Sequence, residues 1–181
     1  MELALIERIQ KIKAVITDID GVLTDGCIVL GNYGDELKFF DVQDGLGFAL
    51  LSRAGLKTIM MTARKSRINQ KRAKEIEAFK LYQNVSDKLR VFQKVSRKFK
   101  LAPEEICVVG DDLIDIPPMR QAGFAVAVQN AVEETKRVAH YVTQKSGGRG
   151  AIRELSELIL KNQGKWFAVT ARYTSDNAIP A

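Results

Sequence analysis

Two carboxylates, Asp18 and Asp20, stand two residues apart at the end of the apolar run Ala14-Val15-Ile16, just before Gly21. On an extended chain residues two apart point the same way, so the pair can converge on one point. Carboxylates gathered at the mouth of an apolar core repel one another and lose solvation, and only a cation or a bonded partner offsets that cost. Other segments share this shape. Thr62 follows Thr58-Ile59-Met60-Met61, and Gly110-Asp111-Asp112-Leu113-Ile114-Asp115 follows Ile106-Cys107-Val108-Val109. Lys88 opens a helical stretch beyond Lys80-Leu81-Tyr82. Taken singly, Asp-x-Asp-Gly is an acidic turn, Thr62 a strand-end threonine, Lys88 a helix-surface lysine and Gly110-Asp111-Asp112 another turn. Together they make a set of several carboxylates, a hydroxyl and an ammonium. Hard oxygen ligands of this kind suit Mg²⁺.

Such a set requires a scaffold that brings separated segments to one place. Apolar runs predict strands near residues 13–18, 57–62, 80–82, 106–109, 124–128 and 141–143. Between them, apolar spacing and caps predict helices. The first covers residues 3–12, with Leu3, Ile6, Ile9 and Ile12 three apart; the next runs from Asp44-Gly45 to about residue 54. Ser66 caps a polar helix to about residue 77, and Ser86 caps one to Lys100 with Leu89, Phe92, Val95 and Phe99 on one face. Further helices cover residues 115–121 and 131–138 and the stripe Ile152, Leu155, Leu158, Ile159. Alternating strands and helices predict an α/β, Rossmann-like domain: a mainly parallel sheet with helices on both faces and ligands at the carboxyl ends of its strands. That rim is where Asp18, Asp20, Thr62 and residues 110–115 fall. Between the first two main strands, the apolar runs around Gly31-Asn32-Tyr33-Gly34-Asp35 predict a small β-hairpin within residues 27–42. The insertion is too short to be a cap domain. Residues 1–164 read as a single domain and residues 165–181, lacking a period, as a flexible tail.

Composition narrows the function classes. The 181 residues are 46% hydrophobic and 28% charged, as in a globular protein with one ordinary core. The net charge of +6 comes from scattered basic residues, without an aromatic-and-basic platform or zinc spacing, so nucleic acid is not the expected partner. A mildly basic surface suits steering of an anionic small substrate. No stretch is long and apolar enough for a membrane helix, and the N-terminus has no signal-peptide pattern, so a cytoplasmic location is expected. The two cysteines, Cys27 and Cys107, are far apart in apolar settings and read as buried reduced thiols. His140, the only histidine, lies beside a predicted edge strand and reads as structural.

The stretch Asp18-Ile19-Asp20-Gly21-Val22-Leu23-Thr24-Asp25 resembles the first signature of the haloacid dehalogenase superfamily. Thr62, Lys88 and Gly110-Asp111-Asp112-Leu113-Ile114-Asp115 stand in the order of its further motifs. The block Gly147-Gly148-Arg149-Gly150-Ala151-Ile152-Arg153-Glu154 is similar to the small capless branch typified by 3-deoxy-D-manno-octulosonate 8-phosphate phosphatase. The resemblance spans residues 12–164. It implies an Mg²⁺-dependent phosphomonoesterase that removes phosphate from a sugar-acid phosphate through an aspartyl-phosphate, as a step toward the lipopolysaccharide core. Asp18 would be the nucleophile and Asp20 the general acid and base. Asp18, the Asp20 carbonyl and Asp111 would hold the metal, with Asp112 and Asp115 outside them. Thr62 and Lys88 would hold the phosphoryl oxygens. Arg64 would meet the sugar-acid carboxylate; nonulosonate phosphatases tend to carry an acid there, so arginine favours the octulosonate. Ala63 stands where the family usually has glycine, which would strain the loop if that position needs a positive φ. The alternatives are a phosphatase of a nine-carbon sugar-acid phosphate or another sugar phosphate, and a non-catalytic oligomerising module.

Ile28-Val29-Leu30 and Phe39-Phe40 make the hairpin more apolar than an exposed ribbon should be. It either packs on its own domain or meets neighbouring subunits, for which a homotetramer is the expectation. In the family this resembles, the glycine block with Arg149 helps close the site in such an assembly.

Overall fold

The computed structural model describes residues 3–174. In chain order the elements are α1 (Leu3–Gln10), β1 (Ala14–Thr17), β2 (Val29–Leu30), β3 (Glu36–Leu37), α2 (Val42–Arg53), β4 (Lys57–Met61), α3 (Arg67–Glu75) and β5 (Lys80–Tyr82). They continue with α4 (Lys88–Phe99), β6 (Ile106–Gly110), α5 (Ile116–Gln121), β7 (Phe124–Ala127), α6 (Glu133–Val138), β8 (Tyr141–Val142), α7 (Ala151–Asn162) and α8 (Trp166–Thr174). Six strands form one sheet in the order β5-β4-β1-β6-β7-β8, with every pairing parallel. The remaining two make a separate antiparallel ribbon, β2 with β3. Among the described residues no helix is long and apolar enough to cross a membrane.

Register aligns the rim. Thr17 at the end of β1 stands level with Met60 on one side and Val109 on the other. The residues just beyond, Asp18, Met61-Thr62 and Gly110-Asp111, therefore emerge side by side. From β1 the chain steps outward through β4 to β5, then returns to β6 on the other side and continues outward. The order thus reverses between β1 and β6, and the crevice at such a switch point is where open α/β sheets bind ligands. β1, β6 and β7 are buried throughout, which is why they read as unbroken apolar runs rather than alternating ones. The core gathers Ile9, Ile16, Phe48, Ile59, Phe92, Val108, Phe124 and Leu155 around the sheet.

The elements correct several expectations in detail. The N-cap of α2 is Asp41, which accepts from the amides of Gln43 and Asp44. Asp44 turns inward instead. The N-cap of α4 is Asp87 rather than Ser86, whereas Ser66 caps α3 as predicted. The expected flexible tail is helical from Trp166 to Thr174, with Thr170 buried; the rest of it, residues 175–181, lies outside the described residues. Cys107 is buried but Cys27 is exposed at the entry to the hairpin, so only one thiol is a core group. Ala63 is not among the residues with positive φ, so the side chain it carries in place of glycine causes no backbone strain. His140 accepts a 2.9 Å hydrogen bond from the Ala125 amide through Nδ1, a structural tie between β7 and the entry to β8.

Candidate active site

Asp18 leaves β1 with its amide bonded to the Val109 carbonyl at 3.1 Å, so the β1–β6 ladder sets its position. Its Oδ1 accepts from Lys88 Nζ at 2.6 Å, and the same ammonium donates to Asp115 Oδ1 at 2.6 Å. The side chains of Lys88 and Asp115 are 2% and 1% exposed, so one cation is buried between two acids. Asp115 Oδ2 accepts from the amides of Asp111 at 3.2 Å and Asp112 at 3.4 Å, which ties the loop after β6 to the same cluster. Gly21, at φ +109°, brings the turn after Asp20 onto Asp111; a β-carbon there would fall 2.0 Å from Asp111 Oδ2. Only glycine accepts both the left-handed backbone and the close approach.

The electrostatics are those of a site short of positive charge. Burial raises Asp18 from the ordinary 3.8 to about 7, although Lys88 acts against the rise and Asp115 adds to it. Burial, and then Asp115, likewise raises Asp111 to about 7. Burial lowers Lys88, but Asp18 and Asp115 outweigh it and its ammonium is held above the usual range. Carboxylate oxygens of Asp18, Asp111 and Asp115 lie within 4.8 Å of one another, the spacing of a cation site. Both oxygens of Asp115 already have protein partners, so Asp18 and Asp111 are the acids best placed to hold a divalent ion. Hard oxygen donors around a small, highly charged gap suit Mg²⁺.

Asp20 lies beside this cluster, with Thr62 Oγ1 donating to its Oδ2 at 3.1 Å. Its Oδ1 is paired with Lys38 Nζ, a partner that sequence reasoning missed. The Lys38 side chain is fully buried and also donates to Asn69 Oδ1 at 3.2 Å. The one sequence signal was a single cation inside the apolar run Leu37-Lys38-Phe39-Phe40.

The side chains of three predicted residues lie outside this bonded group. Arg64 pairs with Glu36 of β3 at 3.4 Å. Arg149 pairs with Asp25 at 3.6 Å and stays largely exposed. Asp112 is exposed and caps the short turn after β6 by accepting from the Leu113 amide at 2.7 Å. The glycines around Arg149 have a more intimate contact. A β-carbon on Gly147 would fall 1.7 Å from the Gly21 carbonyl oxygen, so this segment presses on the turn that carries Asp20. Buried Asp44, whose carboxyl is raised mainly by burial, holds the segment from behind by accepting from the amides of Gly150 at 3.1 Å and Arg153 at 2.8 Å.

Comparison with known proteins agrees with this fold. A family model described as haloacid dehalogenase-like hydrolase matches residues 50–155. The 3-deoxy-D-manno-octulosonate 8-phosphate phosphatases of Yersinia pestis and Escherichia coli K12 are each 42% identical over 161 residues, covering 89% of this chain and 86% of theirs. The crystal structure of the Moraxella catarrhalis phosphatase of that name, in complex with a magnesium ion, a phosphate ion and a KDO molecule, superposes with a TM-score of 0.91. It is 38% identical and the match covers 94% of this chain and 98% of that one. A parallel sheet with its acids at the switch point, and this similarity across most of the chain, lead to one conclusion: the chain belongs to the haloacid dehalogenase-like hydrolases and, within them, to the 3-deoxy-D-manno-octulosonate 8-phosphate phosphatase family.

Proposed function

We propose that the protein is a Mg²⁺-dependent phosphomonoesterase that releases phosphate from 3-deoxy-D-manno-octulosonate 8-phosphate, in the synthesis of a lipopolysaccharide core sugar. The observation that carries this reading is the buried Asp18–Lys88–Asp115 cluster beside Asp111 at the switch point. Mg²⁺, held by Asp18, Asp111 and the Asp20 carbonyl, supplies charge neutralisation between the acids and a phosphate dianion.

Asp18 is the nucleophile. One of its carboxylate oxygens attacks phosphorus, the bond from phosphorus to the sugar oxygen breaks, and Asp20 gives that oxygen its proton. Water then attacks the phosphorus of the aspartyl phosphate and gives a proton back to Asp20. The phosphorus–Asp18 bond breaks, phosphate leaves and both acids return to their starting state. Lys88 offsets charge on the transferring group, and Thr62 turns its hydroxyl to a phosphoryl oxygen. Asp115 holds Lys88 in place, and Asp112 orders the loop that carries Asp111. Arg64 meets the sugar-acid carboxylate by exchanging its contact with Glu36 for a forked pair.

The assembly proposed is a homotetramer. Leu30, Tyr33, Leu37 and Phe39 are exposed on a hairpin whose strands are only two residues each, and a two-stranded ribbon is barely stable alone. Association of hairpins covers these side chains, and Arg149 then helps close a neighbouring site. A cytoplasmic location goes with this reading, since such sugar phosphates are made and consumed inside the cell.

A phosphate-release screen over sugar phosphates, with and without Mg²⁺, tests the whole. Preference for the eight-carbon sugar acid, lost on chelation, is the expected result. Equal rates on unrelated sugar phosphates would remove the substrate assignment, and full activity in strong chelator would remove the metal.

A further inference from the structure

Lys38 is a fully buried ammonium that the reaction scheme above does not use. A buried lysine is costly unless paired, and this one has two hydrogen-bond partners, Asp20 Oδ1 and Asn69 Oδ1, with Glu36 as a looser ion-pair partner at 3.9 Å. It comes from the hairpin, which otherwise faces outward. The hairpin's return is held by α3, a helix that is mostly wet but has two buried polar residues one turn apart, Asn69 and Arg72. Arg72 donates to the Asp41 carbonyl at 2.7 Å and stacks over Phe40 at 5.2 Å from the ring centre. Asn69 receives the lysine. Arg72 thus fixes the backbone that follows Lys38, and Asn69 holds its amine beside Asp20.

We propose that Lys38 is a positioning residue for Asp20: it holds one carboxylate oxygen, Oδ1, so that the other faces the sugar oxygen that leaves. The proposal rests on the reading of Asp20 as general acid. In the structure Oδ2 accepts from Thr62. When Thr62 turns to a phosphoryl oxygen, Oδ2 is released while Lys38 still grips Oδ1. The carboxyl group then keeps its plane and can pass the proton held on Oδ2. Without Lys38 both oxygens are loose at that moment, and a displacement of about 1 Å in a reacting group is enough to cost a large part of its effect. A further consequence is that the hairpin, the element exposed to a partner, is mechanically joined to the proton donor.

The test is kcat/KM, which reports steps up to the transfer of phosphate to Asp18, measured on full-length Mg²⁺-loaded enzyme. The two substrates are a sugar phosphate, whose alkoxide needs a proton, and p-nitrophenyl phosphate, whose phenolate leaves without one. For Lys38→Met the expected loss is about 10²-fold on the sugar phosphate and less than about threefold on the aryl ester. Asp20→Asn should give the same asymmetry, and the double variant should lose little more than Asp20→Asn alone, because both act through one group. Equal losses of Lys38→Met on the two esters, or none, would overturn the proposal. If Asp20→Asn itself shows no asymmetry, the general-acid reading falls first, and the two failures are told apart. Should Lys38→Met not fold, Asn69→Ala decides the matter. A loss of about fivefold confined to the sugar phosphate supports positioning, and a uniform loss or none overturns it.

Discussion

The acidic rim and the hairpin invert the usual distribution of polarity in opposite ways. At the rim, Asp18, Lys88 and Asp115 are ionisable side chains and buried. On the hairpin, Leu30 and Phe39 are apolar yet 71% and 61% exposed. Apolar burial is the main drive to fold and buried charge is a cost, so neither arrangement follows from stability alone. Each is half of a contact. The rim lacks positive charge, which a divalent cation would add. The hairpin lacks a covering surface, which a second subunit would add. Lys38 is where the two regions meet, its backbone beside the exposed run and its ammonium paired with Asp20 at the edge of the buried acids.

The comparison is broken most severely at the nucleophile. Asp18→Asn keeps the shape and removes the negative oxygen, so turnover should fall by about 10⁴-fold or more while the melting temperature holds or rises. Phosphate release near the parent rate from a verified Asp18→Asn protein would take Asp18 out of the mechanism. Next comes Gly147→Ala, whose new methyl has no space beside the Gly21 carbonyl. Displacing that turn should cost about 2–4 kcal/mol in denaturant unfolding, with a drop in activity because the turn carries Asp20. Unchanged stability would mean that the two loops are not in tight contact. Asp44→Ala removes the carboxylate that accepts from two amides at the start of α7, and should cost about 2 kcal/mol in the same measurement.

A smaller effect separates the rim from the hairpin by pH. Asp18 and Asp111 have folded pKa values near 7 against an ordinary 3.8, so between those values the folded chain keeps protons that the unfolded chain has released. More protons bound in the folded state means that stability falls as pH rises through this window, and the penalty stays above it. Mg²⁺ competes for the same oxygens. Its stabilising shift in melting temperature should therefore be small at about pH 5 and larger at about pH 8. A shift independent of pH would detach the cation from these acids. At the hairpin, Leu30→Glu and Phe39→Glu touch exposed side chains and should change the intrinsic stability of the chain by no more than about 0.5 kcal/mol. Sedimentation should nevertheless show dissociation of the proposed tetramer. A stable tetramer with both charges in place would move the interface elsewhere.

Much of this was legible from the chain. The strands of the sheet read directly because strands buried on both faces are continuous apolar runs. Asp18, Thr62, Lys88 and Asp111 read as a group because each stands at the end of such a run or at the start of the following helix. What failed locally failed for identifiable reasons. Ser86 and Asp87 are both capping types, and only the backbone shows that Asp87 has the extended dihedrals of a cap. The segment after Lys165 has no clear apolar period, yet it is helical where Arg153 and Lys161 lie against the Trp166 ring. Cys27 reads as apolar by its neighbours, but those neighbours are themselves exposed.

The order of elements, the parallel sheet and the rim of acids were determined by the sequence, because hydrophobic period and turn chemistry act over a few residues at a time. The partners of those acids were decided only by the tertiary structure. Lys88 and Asp18 are seventy residues apart, Asp20 meets a lysine from a hairpin that lies outside the sheet, and Asp44 caps a helix more than a hundred residues away. Such pairings depend on where long side chains end after the backbone has closed. Spacing along the chain does not encode that, since the direction of each side chain is settled by packing against elements from elsewhere in the fold.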